Sequence, residues 1–115
     1  MGCICFSPLA QGALTDKYLR GIPAGSRAAR EGSTVAARYL DAETLGKIKK
    51  LNDIARAGGM TLAQMALAWI LRRPEVTSVL VGASSTAQLD SSLAALKLPP
   101  LGEDVRKEIR AALGQ

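Results

Sequence analysis

Ser78-Val79-Leu80-Val81 runs directly into Gly82-Ala83-Ser84-Ser85, and a helical period follows from about residue 86 to 96. A short apolar strand, a glycine-serine turn and an amphipathic helix in succession read as a βα unit. Leu89, Leu93 and Leu96 lie on one face of that helix, and Ser85 with Gln88 three residues on fits a capping box.

Toward the N-terminus, Thr61 with Gln64 fits a second capping box, and Leu62 to Leu71 is apolar nearly all round. That helix is expected to be buried, with Trp69 in its packing. Residues 41–57 read as an amphipathic helix with Asp41 as N-cap and Leu45, Ile48, Leu51 and Ile54 as its stripe. Gly58-Gly59 stop it. Residues 2–6, Gly-Cys-Ile-Cys-Phe, read as a strand that Ser7-Pro8 ends, because proline cannot donate to a ladder. A strand apolar on both faces suggests a parallel sheet covered on both sides. Toward the C-terminus, Pro99-Pro100 break the chain, and residues 103–113 form a last helix with Val105, Ile109, Ala112 and Leu113 inward.

Between the first strand and the first helix lie residues 7–40, with neither period. The segment holds four glycines and a net charge of +3, from Lys17, Arg20, Arg27, Arg30 and Arg38 against Asp16 and Glu31. Loops this long are usually lids, binding loops or disorder, and the positive excess suits an anionic partner. The order is α/β with parallel strands. Two strands are too few to cover four helices, so the chain reads as a piece of a larger parallel sheet.

Composition narrows the chemistry. The 115 residues carry a net charge of +5, 48% apolar residues, 3% aromatics and no histidine. Disorder throughout is excluded, and no apolar run reaches the ~20 residues needed to span a bilayer. No signal peptide is readable. Without histidine the chain holds no Ser/His/Asp triad and no His-ligated metal. The basic residues are dispersed and aromatics are scarce, which argues against nucleic acid. Cys3 and Cys5 are expected to face apart and not to pair, which suits a reducing cytoplasm.

In parallel α/β folds, ligands sit at the carboxyl ends of strands. Two candidate sites lie there. One is Ser7-Pro8-Leu9-Ala10-Gln11-Gly12, with Lys17 and Arg27 further on to reach phosphate oxygens. The other is Gly82-Ala83-Ser84 at a helix start, where free N–H groups, the helix dipole and the Ser84 hydroxyl make an anion site. Each has a plainer reading, as an N-cap or as solvated charges. Together they suit a polyphosphate spanning neighbouring strands, as in eight-stranded barrels.

Several runs resemble one family in order along the whole chain. Phe6-Ser7-Pro8-Leu9-Ala10-Gln11-Gly12-Ala13-Leu14-Thr15-Asp16-Lys17-Tyr18, Ala63-Gln64-Met65-Ala66-Leu67-Ala68-Trp69 and Val76 through Ser84 followed by Gln88-Leu89 are similar to segments of the aldo-keto reductases. The form is that of the branch with the potassium-channel β subunits and the bacterial glyceraldehyde-3-phosphate reductases. The resemblance implies a (β/α)8 TIM barrel, of which residues 1–115 are the C-terminal third: the last two βα units and the C-terminal helices. It implies an oxidoreductase using NADP(H). Ser7, Pro8, Leu9, Ala10 and Gln11 then line the pyrophosphate and nicotinamide side. Lys17 and Arg27 reach the phosphates from a belt formed by residues 7–40. Gly82, Ser84 and Gln88 hold the adenosine end.

The departures from the family pattern are specific. Its catalytic Asp, Tyr, Lys and His belong to earlier strands, and no position here matches them, so no catalytic residue and no metal ligand is expected. Asp16 stands for a glycine, Ser91-Ser92 for Glu-Asn, and Ser85 for an Arg, which implies weakened cofactor contacts. The expectation is a truncated, cytoplasmic NADP-dependent reductase segment, inactive alone. It would bind NADP(H) or another phosphate ligand, and no nucleic acid or membrane. The alternative is a non-enzymatic α/β module that pairs its open strand edges as a homo-oligomer or with a complementing barrel fragment.

Overall fold

The computed structural model describes all residues but Asp16 and Arg20, and for Arg27 the backbone alone. Two strands, β1 (Cys3–Cys5) and β2 (Val76–Val79), pair in parallel. Cys3 stands opposite Val76, Ile4 opposite Ser78 and Cys5 opposite Val79, so Thr77 is an extra residue that bulges β2. Its Oγ1 accepts the Cys3 N–H at 3.2 Å. A Cβ on Gly2 would lie 2.7 Å from that oxygen, which explains a glycine at position 2. The second strand begins two residues earlier than the apolar run suggests. The Leu80 N–H still donates to the Cys5 carbonyl at 2.9 Å, where the ladder ends.

Five α-helices are present among the described residues: α1 (Val35–Tyr39), α2 (Ala42–Ala57), α3 (Leu62–Leu71), α4 (Thr86–Ala94) and α5 (Glu103–Ala112). The core lies where α2, α3 and α5 meet, with Ile48, Leu51, Ala55, Leu62, Met65 and Ile109 buried. Burying each of the larger ones stabilises the fold by about 2 kcal/mol. Asp41 caps α2 as expected, its Oδ2 accepting the Thr44 N–H at 3.0 Å and its Oδ1 the Thr44 hydroxyl at 2.6 Å. The Thr44 hydroxyl, then its N–H, hold the Asp41 carboxyl below the ordinary 3.8. The capping box at α3 is complete: Thr61 Oγ1 accepts from Gln64 N, and Gln64 Oε1 accepts from Thr61 N. The same Gln64 side chain donates Nε2–H to the Ser91 carbonyl at 3.0 Å and ties α4 to α3.

Residues 7–40 are more ordered than their lack of periodicity suggests. They contain 3-10 turns at Ala10–Gly12 and Arg27–Ala29 besides α1. Ala13, Tyr18 and Val35 are buried, and the Tyr18 hydroxyl accepts the Ala28 N–H at 3.2 Å, closing the segment on itself.

Three expectations are corrected. The sheet is not covered on both sides: α3 packs against β2, yet Ile4 is 63% and Phe6 80% exposed. The open sheet continues into Leu89, Leu93 and Leu96, which lie on one face as their spacing gives and are exposed, because no described element packs on them. Helix α3 is not buried all round: Leu62, Met65 and Leu67 are buried, while Trp69 packs against the core half-buried, as expected for a packing residue, with the Arg72 guanidinium 3.6 Å from its ring centroid. Cys3 and Cys5 share a face, since alternate strand residues point the same way. Both are free thiols, and desolvation followed by the Cys3 hydrogen bond pushes the Cys5 thiol up. No single helix among the described residues is long and apolar enough to cross a membrane.

Candidate functional site

The carboxyl ends of β1 and β2 open into one cleft of about 870 Å³. This falls in the ~300–1,000 Å³ range of small-molecule sites. The turn after β1 forms one wall. Ser7 (φ 51°), Ala10 (φ 48°) and Gln11 (φ 59°) all take left-handed backbone, and Gly12 follows at φ 97°. For L-residues this conformation costs roughly 1–2 kcal/mol each, and such strain gathers where a backbone is shaped for a ligand. Gly12 N donates to Leu9 O at 2.9 Å, and Thr15 Oγ1 donates to Gly12 O at 2.6 Å. The chain thereby doubles back and brings Lys17 over the turn. A Cβ on Gly12 would lie 3.4 Å from Lys17 Nζ.

The turn after β2 forms the facing wall and ends in the start of α4. Ser85 Oγ accepts the Gln88 N–H at 3.2 Å. The reciprocal half of the expected capping box is not made. Gln88 Oε1 instead accepts from the N–H and the Oγ of Ser84, both at 2.9 Å. Both Ser84 donors are therefore engaged, which corrects the reading of that hydroxyl as a free anion donor. The N–H groups of Thr86 and Ala87 retain no intrahelical acceptor at this end. The first turn of α3, at Thr61, Leu62 and Ala63, borders the same cleft.

Eight of the ten sequence-derived positions line this space: Ser7, Pro8, Leu9, Gln11, Lys17, Gly82, Ser84 and Gln88. Ala10 does not; it packs against the core. The Arg27 side chain lies outside the described residues, as does Asp16.

The aldo/keto reductase family model matches residues 1–113. The chain belongs to the aldo/keto reductase family. It is 50% identical over 99 residues to an L-glyceraldehyde 3-phosphate reductase of Escherichia coli O157:H7, covering 84% of this chain and 29% of that protein. The corresponding K12 reductase is 48% identical over the same length, with the same coverage. A probable voltage-gated potassium channel subunit beta of Oryza sativa subsp. japonica is 44% identical over 103 residues, covering 88% of this chain and 31% of that protein. The chain thus spans less than a third of the length of these relatives. Aldo/keto reductases in general use NADP(H).

Within this aldo/keto reductase chain, the cleft also recruits residues that periodicity did not single out. Asn52 and Arg56, one turn apart on α2, line it, as do Ser91 and Ser92 on α4. Asn52 had a readable signal: it lies four residues after Ile48 and three before Ala55, an inward position holding a polar side chain. Among the described residues no cluster of three or more His, Cys, Asp or Glu is placed to hold a metal ion.

Proposed function

We propose that this chain forms part of the NADP(H)-binding half of an aldo/keto reductase. The supporting observation is convergence: turns after two paired parallel strands bring Ser7, Pro8, Leu9, Gln11, Lys17, Gly82, Ser84 and Gln88 to one cleft. The residues fit a phosphorylated dinucleotide in kind. Lys17 supplies an exposed cation, the starts of α3 and α4 supply N–H groups and the positive end of a dipole, and the strained Ser7–Gly12 turn exposes backbone. Ser7, Pro8, Leu9 and Gln11 border the pyrophosphate and nicotinamide, and Gly82, Ser84 and Gln88 the adenosine end. The cofactor, when bound, supplies a hydride for a carbonyl substrate. The chain's own residues bind and orient it. None matches the family's catalytic Asp, Tyr, Lys or His, so the chain by itself does not reduce a carbonyl, and its setting is cytoplasmic.

Fluorescence titration of the purified chain with NADPH tests this reading. Saturable binding that weakens as salt rises is expected, with no NADPH consumption on adding aldehydes. Absence of binding overturns the cofactor reading, and turnover that follows the chain through purification overturns the inactivity.

The exposed sheet favours a second property. Ile4, Phe6 and Leu80 leave apolar surface and strand edges open, which suits pairing with a second copy or with a complementing barrel segment. Light scattering is expected to give a dimer or larger. A monomer with a cooperative melt would dismiss this.

A further inference from the structure

We infer that Asn52 recognises the base of the bound nucleotide, an assignment that rests on the cleft reading above. Asn52 is 7% exposed and sits on the inner face of α2 among Ile48, Leu51 and Ala55. Neither of its side-chain polar atoms is both sealed from solvent and unpartnered, so the carboxamide is reached from the cleft that Asn52 lines. A polar side chain on the inward face of a helix is uncommon without a polar partner to meet it. An apolar residue would extend the core at this position and stabilise α2. The chain keeps an amide there, and Asn52 lines the cleft. A partner that enters through the cleft accounts for it.

The chemistry of that partner follows from the group. A carboxamide presents a donor and an acceptor side by side and carries no charge. A phosphate would meet its carbonyl oxygen unfavourably, and Lys17 and the helix starts already suit phosphate. A neutral edge with adjacent donor and acceptor fits, and adenine offers one through its amino group and N7. Asn52 belongs to the helical layer, on α2 packed against α3, and Ala63 of α3 and Ser91 of α4 border the same cleft. That is the side proposed for the adenosine end.

The test compares wild type with Asn52→Leu and Asn52→Ala, titrated by calorimetry with adenosine 2′,5′-bisphosphate and with inorganic pyrophosphate, alongside thermal melts. Asn52→Leu is expected to melt no lower than wild type. It should lose about tenfold in affinity for the nucleotide, the equivalent of about 1.4 kcal/mol, and keep its affinity for pyrophosphate. Asn52→Ala should show the same selectivity if the leucine variant fails to fold. Unchanged nucleotide affinity overturns the assignment, and so does an equal loss for both probes, which would mean a distorted cleft. Wild type that binds neither probe overturns the cleft reading itself.

Discussion

Gln88 Oε1 accepts two hydrogen bonds from Ser84, one from its N–H and one from its hydroxyl, each at 2.9 Å. The contact fixes the turn after β2 against the first turn of α4. It also places a neutral acceptor where an anion is expected to approach. Gln88→Glu preserves both bonds in shape but brings a negative charge to that approach. Anionic ligands should bind about tenfold more weakly, and the penalty should shrink as salt rises. Stability should hold or rise slightly, because a carboxylate suits the first turn of a helix. Titrations at two ionic strengths, with a melt alongside, check both statements.

The α3 cap offers a graded pair of substitutions. Thr61→Ala removes one capping acceptor and should lower stability by about 1 kcal/mol. Gln64→Ala should cost more, because one side chain accepts from the Thr61 N–H and also donates to the Ser91 carbonyl. Urea unfolding of the two variants gives the order. Equal losses would mean that the link to α4 contributes nothing.

Gly12→Ala should destabilise by roughly 1–2 kcal/mol, because φ 97° is poorly accessible to an L-residue. The added methyl would also come within 3.4 Å of Lys17 Nζ, and relief of the backbone strain would reshape the turn beneath it. Affinity for pyrophosphate should fall together with stability. Calorimetry on the folded fraction separates the two effects.

Acid should act on the start of α2. The Asp41 carboxyl titrates lower in the folded chain than its ordinary 3.8, because Thr44 hydrogen-bonds its charged form. Its contribution to stability is therefore complete above 3.8 and is lost as pH falls through the lower folded value. Asp41→Ala should remove that part of the acid dependence while leaving the curve at neutral pH parallel to wild type. Melts between neutral pH and pH 3 show it.

The helices were legible because their boundaries carry chemistry. Asp41, Thr61 and Ser85 all cap where their side chains suggest, and apolar spacing located the α2 and α5 faces. Helix α1 was not legible: Val35–Tyr39 is five residues without a side-chain cap, and its place is set by burial of Val35. The apolar face of α4 was legible as a pattern, and its exposure follows from the lack of an opposing element among the described residues. Most of the cleft followed from one rule, that ligands gather at the carboxyl ends of parallel strands. Asn52 escaped because the stripe on α2 was traced through its apolar members alone.

The bulge at Thr77 has a consequence for how two distant positions can change. Val76 and Val79, three apart, are both half-buried, while Thr77 and Ser78 between them are exposed. A regular strand would send residues three apart to opposite sides. The extra residue reconciles them, and for the same reason a search for strict alternation places the strand too late. Thr77 is thus the residue of β2 whose deletion leaves the pairs Cys3–Val76 and Ile4–Ser78 in place. Without its hydroxyl, the atom that confines position 2 to glycine is gone as well. Positions 2 and 77, 75 residues apart in the chain, therefore form an epistatic pair, in which a side chain at the first is tolerated only after the second has been lost or made smaller.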